Sequence, residues 1–285
     1  MNAPVTDDDA ATTTKGARHR HRRRVVVVTI LAVMAAGVAV VAILWNRERA
    51  RPVKVSDATK KYHATSTTAG AVSGSGPEAG VYEYTGSGTD HISTPPKTQN
   101  EGPEIPGTVT AGNPGCWVFR VDYNTSHWQT WNYCSRAGQL LEMGGQSFQR
   151  WDFVAFKVDT TTSFTCDPPA ITIKATMKVG DSWTQSCSGT STSISGRAVS
   201  SGRFTYLGTE KLDVGGRRVD TFHFRQRRTL SGSQTGSQVS ELWFGRDGLP
   251  IKNRRRISVD SGSVLGTVTY TENAEFSLVS LTPRT

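Results

Sequence analysis

Cysteine is scarce and unevenly placed, with four in 285 residues, at Cys116, Cys134, Cys166 and Cys187, and none earlier. No pair has CxxC spacing and no histidine stands near them at ligand spacing, which argues against a zinc site. Histidine is also sparse. His63, His91, His127 and His223 lie outside the N-terminal tail, and none forms HExxH, HxH or His-x3-His, so no metal site and no cofactor are expected. There is no GxSxG nucleophile elbow, no GxxxxGK[ST] phosphate loop, and no GxGxxG between strand and helix signals. A charge surplus is missing from the main part of the chain. Residues 77–285 hold 21 basic and 19 acidic side chains, whereas residues 1–76 hold 12 and 5. The net charge of +9 therefore belongs mostly to an N-terminal arm, and the main domain does not read as a nucleic-acid binder. Beyond position 77 no window shows a helical period.

One long apolar run stands out. Val25 to Trp45 is 21 residues without a charge. At about 1.5 Å per residue a helix of that length spans a hydrocarbon core of roughly 30 Å. The run is longer than the ~7–15 residues usual in a signal peptide, and WNRERA after it is no cleavage site, so an uncleaved signal anchor is expected. Six basic residues lie on each side, with the N-terminal cluster Arg18–Arg24 abutting the run more tightly. That gives a push toward a cytoplasmic N-terminus. An even cysteine count behind an anchor adds to it, because disulfides persist outside the cytoplasm. Of three possible connectivities, Cys116–Cys134 and Cys166–Cys187 are preferred, since each pair brackets one predicted hairpin. The expected organisation is a cytoplasmic basic tail (1–24), a transmembrane anchor (25–45), a flexible linker (46–76) and an extracytoplasmic β domain (77–285).

Short alternating runs rich in Thr, Val, Trp, Tyr and Phe fill the last segment, among them VYEYT from Val81, CWVFRVDY from Cys116, SHWQTWNYC from Ser126 and WDFVAFKVD from Trp151. Gly144-Gly145, Gly215-Gly216, Asp247-Gly248 and Gly86-Ser87-Gly88 read as turns, and the Pro- and Gly-rich segment Pro95–Pro106 as a loop. The fold class that follows is all-β: a single antiparallel meander sheet, curved or barrel-like. Parity places Phe222, Phe224, Leu242 and Phe244 on one face, a candidate apolar binding surface. The opposite face carries Arg225, Arg227, Trp243, Lys252, Arg254 and Arg256 around Glu241, a candidate contact for anionic headgroups or envelope polymers.

Within Leu212 to Arg256 the order is a Gly turn, a strand, then Trp243, Phe244, Asp247, Gly248, Leu249, Pro250 and Ile251. This order resembles the closing meander of LolA/LolB-like lipoprotein-carrier domains, with its W-[FV]-x-x-D-G-L-P-[IV] hairpin. KVGDSW, Lys178 to Trp183, resembles a turn in the same broad group. The resemblance implies a curved antiparallel sheet whose concave apolar face takes acyl chains. The chain departs from those carriers in its anchor, its cysteine pairs and its lack of helix signals. As a whole it also resembles uncharacterised membrane-anchored envelope proteins of high-GC Gram-positive bacteria, which implies no activity.

Three functions are open on this reading. The first is a non-enzymatic, membrane-anchored β domain binding an apolar or anionic envelope ligand such as lipid. The alternative is a structural or protein-interaction module, with those same apolar residues closed in a dry core. The third is a hydrolase, which needs His127, near Asp122, or His223 within reach of a serine or carboxylate; for His127 a surface position across strands is expected instead. Asp152, Asp159, Asp167 and Asp181 show no glycosidase spacing. Trp117, Trp128, Trp131 and Trp151 are expected to pack in the core and along the sheet, although such rings also stack on sugars or line lipid pockets. Asn124-Thr125-Ser126 matches a glycosylation sequon and reads as a turn.

Overall fold

A computed structural model describes residues 50–65, 76–153, 156–263 and 266–285, with Met34 and Gly37 as isolated positions. The expected tail 1–24 and, those two positions apart, the span 25–45 lie outside the described residues. Among the described residues no helix is long and apolar enough to cross a membrane.

Part of the segment read as a flexible linker is folded. Helix α1 (Val55–Thr65) buries Val55, Ala58 and Tyr62 against Val81. These three positions, spaced i, i+3 and i+7, make a one-sided stripe. It is diluted by Lys60, Lys61 and two threonines, which is why composition alone suggested a linker. Glu104 Oε1 accepts from the Val55 N–H at 2.6 Å and so satisfies an orphan donor at the helix start. The Arg51 carbonyl accepts from Thr125 N–H at 2.8 Å, so the folded unit begins upstream of Pro77.

Thirteen strands follow: β1 (Gly80–Ser93), β2 (Pro96–Glu101), β3 (Glu104–Ala111), β4 (Cys116–Asn124), β5 (His127–Arg136), β6 (Gln139–Asp152), β7 (Lys157–Ile173), β8 (Ser182–Ser191), β9 (Arg197–Val214), β10 (Arg217–Gly232), β11 (Gln234–Phe244), β12 (Pro250–Ser263) and β13 (Gly266–Leu278). All pairings are antiparallel, and from β3 to β13 each strand bonds the next. β13 returns to β1, so β1 and β3–β13 close a twelve-stranded barrel. The expected meander is thus a barrel with no free edge between its first and last strands. β1 serves two neighbours along its length. Gly80–Thr85 pair with β3, and Gly88–Ser93 with β2.

Four local expectations are corrected. Pro95–Pro106 is no plain loop, since it contains β2 and the start of β3. Pro96 opens β2 at a strand start, where its missing N–H is tolerated. Gly144-Gly145 and Gly86-Ser87-Gly88 lie within β6 and β1. A Cβ at Gly144 would overlap the Phe164 carbonyl, and one at Gly88 would lie 2.6 Å from Glu101 Oε2, so close approach, not turning, explains these glycines. Trp151–Asp159 divides between the end of β6 and the start of β7. Gly215-Gly216 does turn, with φ of 58° and 81°, the two positive values a type I′ hairpin needs.

One seam differs from the others. β7 and β8 pair only from Thr162–Thr165 to Ser188–Ser191. Beyond that the strands part, and side chains close the gap. Trp183 Nε1 and Gln185 Nε2 each donate to the Ile171 carbonyl at 2.6 Å. The Cys166–Cys187 disulfide joins the two strands where the ladder stops. The other disulfide, Cys116–Cys134, links residues that already face each other in the β4–β5 ladder. Both pairings match the expected connectivity.

Inward side chains sort into two layers. The lower half holds Tyr82, Tyr84, Ile105, Trp117, Phe119, Tyr133, Phe204, Phe224, Phe244 and Phe276 in one core. The resemblance hairpin closes this end. Leu249 and Ile251 are buried in the same core, Gly248 packs beside Trp117 and Leu140, and Tyr84 donates to the Pro250 carbonyl at 2.7 Å. The upper half is polar and charged.

Candidate functional site

The four expected apolar residues do not share one exposed surface. Phe224 and Phe244 are fully buried and pack edge to face, with centroids 6.2 Å apart, as part of the sealed floor. Phe222 and Leu242 are half-buried against the same core. Leu242 sits inward on β11 between Phe224 of β10 and Asn253 of β12. Across the lumen, Tyr133 of β5 meets Phe244 at 6.1 Å, and four residues away along β5, Gln129 accepts from Arg255 at 2.7 Å. Trp131 lies between Gln129 and Tyr133, so Trp131 and Leu242 occupy one level on opposite walls. Both keep partial exposure there, above a sealed floor and below a charged layer.

The charged layer was not foreseen. Arg255 points inward from β12, with only 3% of its surface exposed. Its guanidinium donates to Glu272 of β13, Tyr123 of β4 and Gln129 of β5, and lies 4.3 Å over the Tyr123 ring. Tyr270 donates to Asp90 at 2.9 Å or to Glu272 at 2.8 Å. Burial pushes the Tyr123 and Tyr270 hydroxyls well above the ordinary tyrosine range, which keeps them as donors. The network continues to His127, whose Nδ1 lies 2.9 Å from both Asp90 Oδ2 and Glu101 Oε1. Burial pulls the His127 pKa down, but Asp90 and Glu101 outweigh it and carry it up to about 10. Burial raises Glu101 to about 7, with the His127 hydrogen bond opposing. His127 is therefore not the surface residue expected, and its partner is not Asp122, which pairs with Arg120 at 2.6 Å. Of the serine or carboxylate partners sought, both histidines reach carboxylates, His127 those of Asp90 and Glu101 and His223 that of Glu210 at 3.3 Å, and among the described residues neither hydrogen-bonds a serine. A second cross-barrel pair, Arg228 of β10 to Glu142 of β6 at 3.3 Å, spans the same half.

The outer ribbon keeps its expected parity but not its free charge. The register sets Arg225, Glu241, Arg254 and Glu275 side by side across β10 to β13. Arg225 donates to Glu241 at 2.8 Å and Arg254 to Glu275 at 3.2 Å, an alternating row that neutralises itself. Arg227 and Arg256 stand exposed. Trp243 is covered, stacked on His223 at 4.2 Å with Lys252 5.4 Å over its ring, and its indole N–H donates to Glu210 at 2.7 Å. Burial under this stack lowers the His223 pKa below its ordinary value. The unfolded chain then takes up the proton first, so His223 supports stability above about pH 6.5 and loses that support as pH falls. Chemical denaturation at stepped pH should show the decline, and His223→Phe should flatten it.

The tryptophan cluster divides in the same way. Trp117 and Trp151 are buried, Trp131 stacks on Phe119 in the lumen at 5.9 Å, and Trp128 stacks on Phe148 at 5.6 Å beneath Arg120. The sequon is a turn, with the Asn124 side chain buried and donating to the Asn100 carbonyl at 3.0 Å.

No protein-family model matches this chain, and no curated protein matches it. Among solved structures, the hypothetical lipoprotein YmcC from Escherichia coli (K12) is similar over 69% of this chain and 88% of that one, at 12% identity and a TM-score of 0.30. That likeness is too distant to bear on function.

Proposed function

We propose that the chain is a non-enzymatic, membrane-anchored barrel of the cell envelope that holds an apolar or anionic envelope ligand, such as a lipid, in its lumen. The observation that carries this reading is the pair Trp131 and Leu242, partly buried and at one level on opposite walls. About eight strands already enclose an interior that side chains can fill, so twelve leave room to spare. The apolar floor would seat a hydrocarbon chain, and the charged layer above would face a polar or ionised headgroup. The span at 25–45 and the two disulfides support an extracytoplasmic barrel tethered by a cytoplasmic N-terminus.

The site is thus moved from the expected set. Leu242 stays in it, while Phe224 and Phe244 become its floor. That sealing is also the specific observation that favours the second reading, a protein-interaction module without a small ligand. A fluorescent fatty-acid probe added to the full chain in nanodiscs separates the two. Leu242→Trp fills the level and should weaken probe binding at least about tenfold, or ~1.4 kcal/mol. Equal binding by wild type and variant, both folded, would leave the interaction module.

A further inference from the structure

We propose that Asp90 of β1, Glu101 of β2 and His127 of β5 bind one divalent first-row transition-metal ion inside the barrel. The three side chains come from three strands and are each at least nine-tenths buried. Their ligand atoms cluster within 4.8 Å. Two carboxylate oxygens lie 2.9 Å from the same imidazole nitrogen, which carries at most one hydrogen. That hydrogen goes to Glu101, leaving Asp90 Oδ2 buried without a hydrogen bond, and Glu101 Oε2 is buried without one as well. A buried oxygen with no donor is costly. A cation resolves the conflict, because it accepts all three donors at once.

Charge points the same way. The hydrogen-bonded set contains three carboxylates, Asp90, Glu101 and Glu272, against the guanidinium of Arg255 and the imidazolium of His127, which leaves it one positive charge short. A dication that takes the place of the Nδ1 hydrogen of His127 leaves the set neutral. One nitrogen and two carboxylates suit Zn²⁺ or Mn²⁺ better than Ca²⁺, which takes oxygen ligands alone, or Cu(I), which takes sulfur. Gly88 has no Cβ to obstruct the Glu101 carboxylate. The other close grouping, Glu142 with Cys166 and Cys187, is closed to metal by its disulfide. The ion would also have a mechanical role. Among the described residues β2 is the terminal strand of the sheet, paired with β1 alone, and the ion would tie it to β5 across the wall.

The test uses the full chain in mild detergent with Zn²⁺, Mn²⁺ or the spectroscopic probe Co²⁺ as the only added ligand. His19 and His21 in the tail form a competing HxH pair, so the double variant H19Q/H21Q is the background. That background is expected to retain about one equivalent of ion through gel filtration, to give a Co²⁺ visible band, and to lose thermal stability on chelation. Asp90→Asn and His127→Gln, with native circular dichroism and both disulfides, should each bind at least about tenfold more weakly. The proposal is overturned if the folded background retains no ion, or if the folded site variants bind as it does. Should the site variants fail to fold, X-ray absorption on the background decides. One nitrogen with oxygens in the ion's shell supports the site, and any other shell overturns it. The lumen ligand is independent of all these outcomes.

Discussion

Arg255→Met should destabilise the barrel by about 3–5 kcal/mol, the range for removing one partner of a fully buried ion pair. The substitution keeps much of the side-chain volume but strands Glu272, which is 5% exposed and has Arg255 as its bonded cation. Tyr123 and Gln129 lose their donor at the same time. The double variant Arg255→Met with Glu272→Met removes the stranded charge and should regain at least about 2 kcal/mol of the loss. Guanidinium titrations followed by tryptophan fluorescence measure both. A single-variant loss under about 1 kcal/mol would mean that water reaches this layer.

Removing the Cys166–Cys187 disulfide by Cys166→Ala with Cys187→Ala should cost about 3 kcal/mol, from a loop closed over a sequence separation of 21. The cost should also be local. At this seam the ladder covers only Thr162–Thr165, so amide exchange should quicken in 170–173 and 182–187 before the rest of the barrel opens. Losing Cys116–Cys134, with a separation of 18, should cost a similar amount of chain entropy. There the β4–β5 ladder holds the strands together, so no local opening should follow. Equal exchange patterns in the two variants would show that the β7–β8 seam is closed by more than the disulfide and the Trp183 and Gln185 bonds.

Much of this architecture was legible in the sequence because alternation and turn chemistry are local. Gly215-Gly216 and Asp247-Gly248 turn where expected, and β4 and β5 lie on the alternating runs from Cys116 and Ser126. Glycine and proline misled where their reason was a neighbouring strand. Gly144 makes room for the Phe164 carbonyl, Gly88 for Glu101, and Pro96 starts a strand. The interior charges were missed for a different reason. The parity that places Ile251 and Ile257 inward also places Asn253 and Arg255 inward, but an arginine run reads as solvent-facing. His127 finds Asp90 and Glu101 on two other strands, and no linear spacing encodes that meeting. The sealed floor, too, depends on barrel closure, which the pairing of β1 with β13 decides.

Native mass spectrometry of the full chain, released gently from detergent, reads directly whether the lumen is occupied. Wild-type protein is expected to carry extra mass that partitions into organic solvent, and Leu242→Trp protein, with both disulfides formed, to lack it. Wild type and variant each at the mass of its bare polypeptide would show the lumen to be empty and overturn the ligand reading.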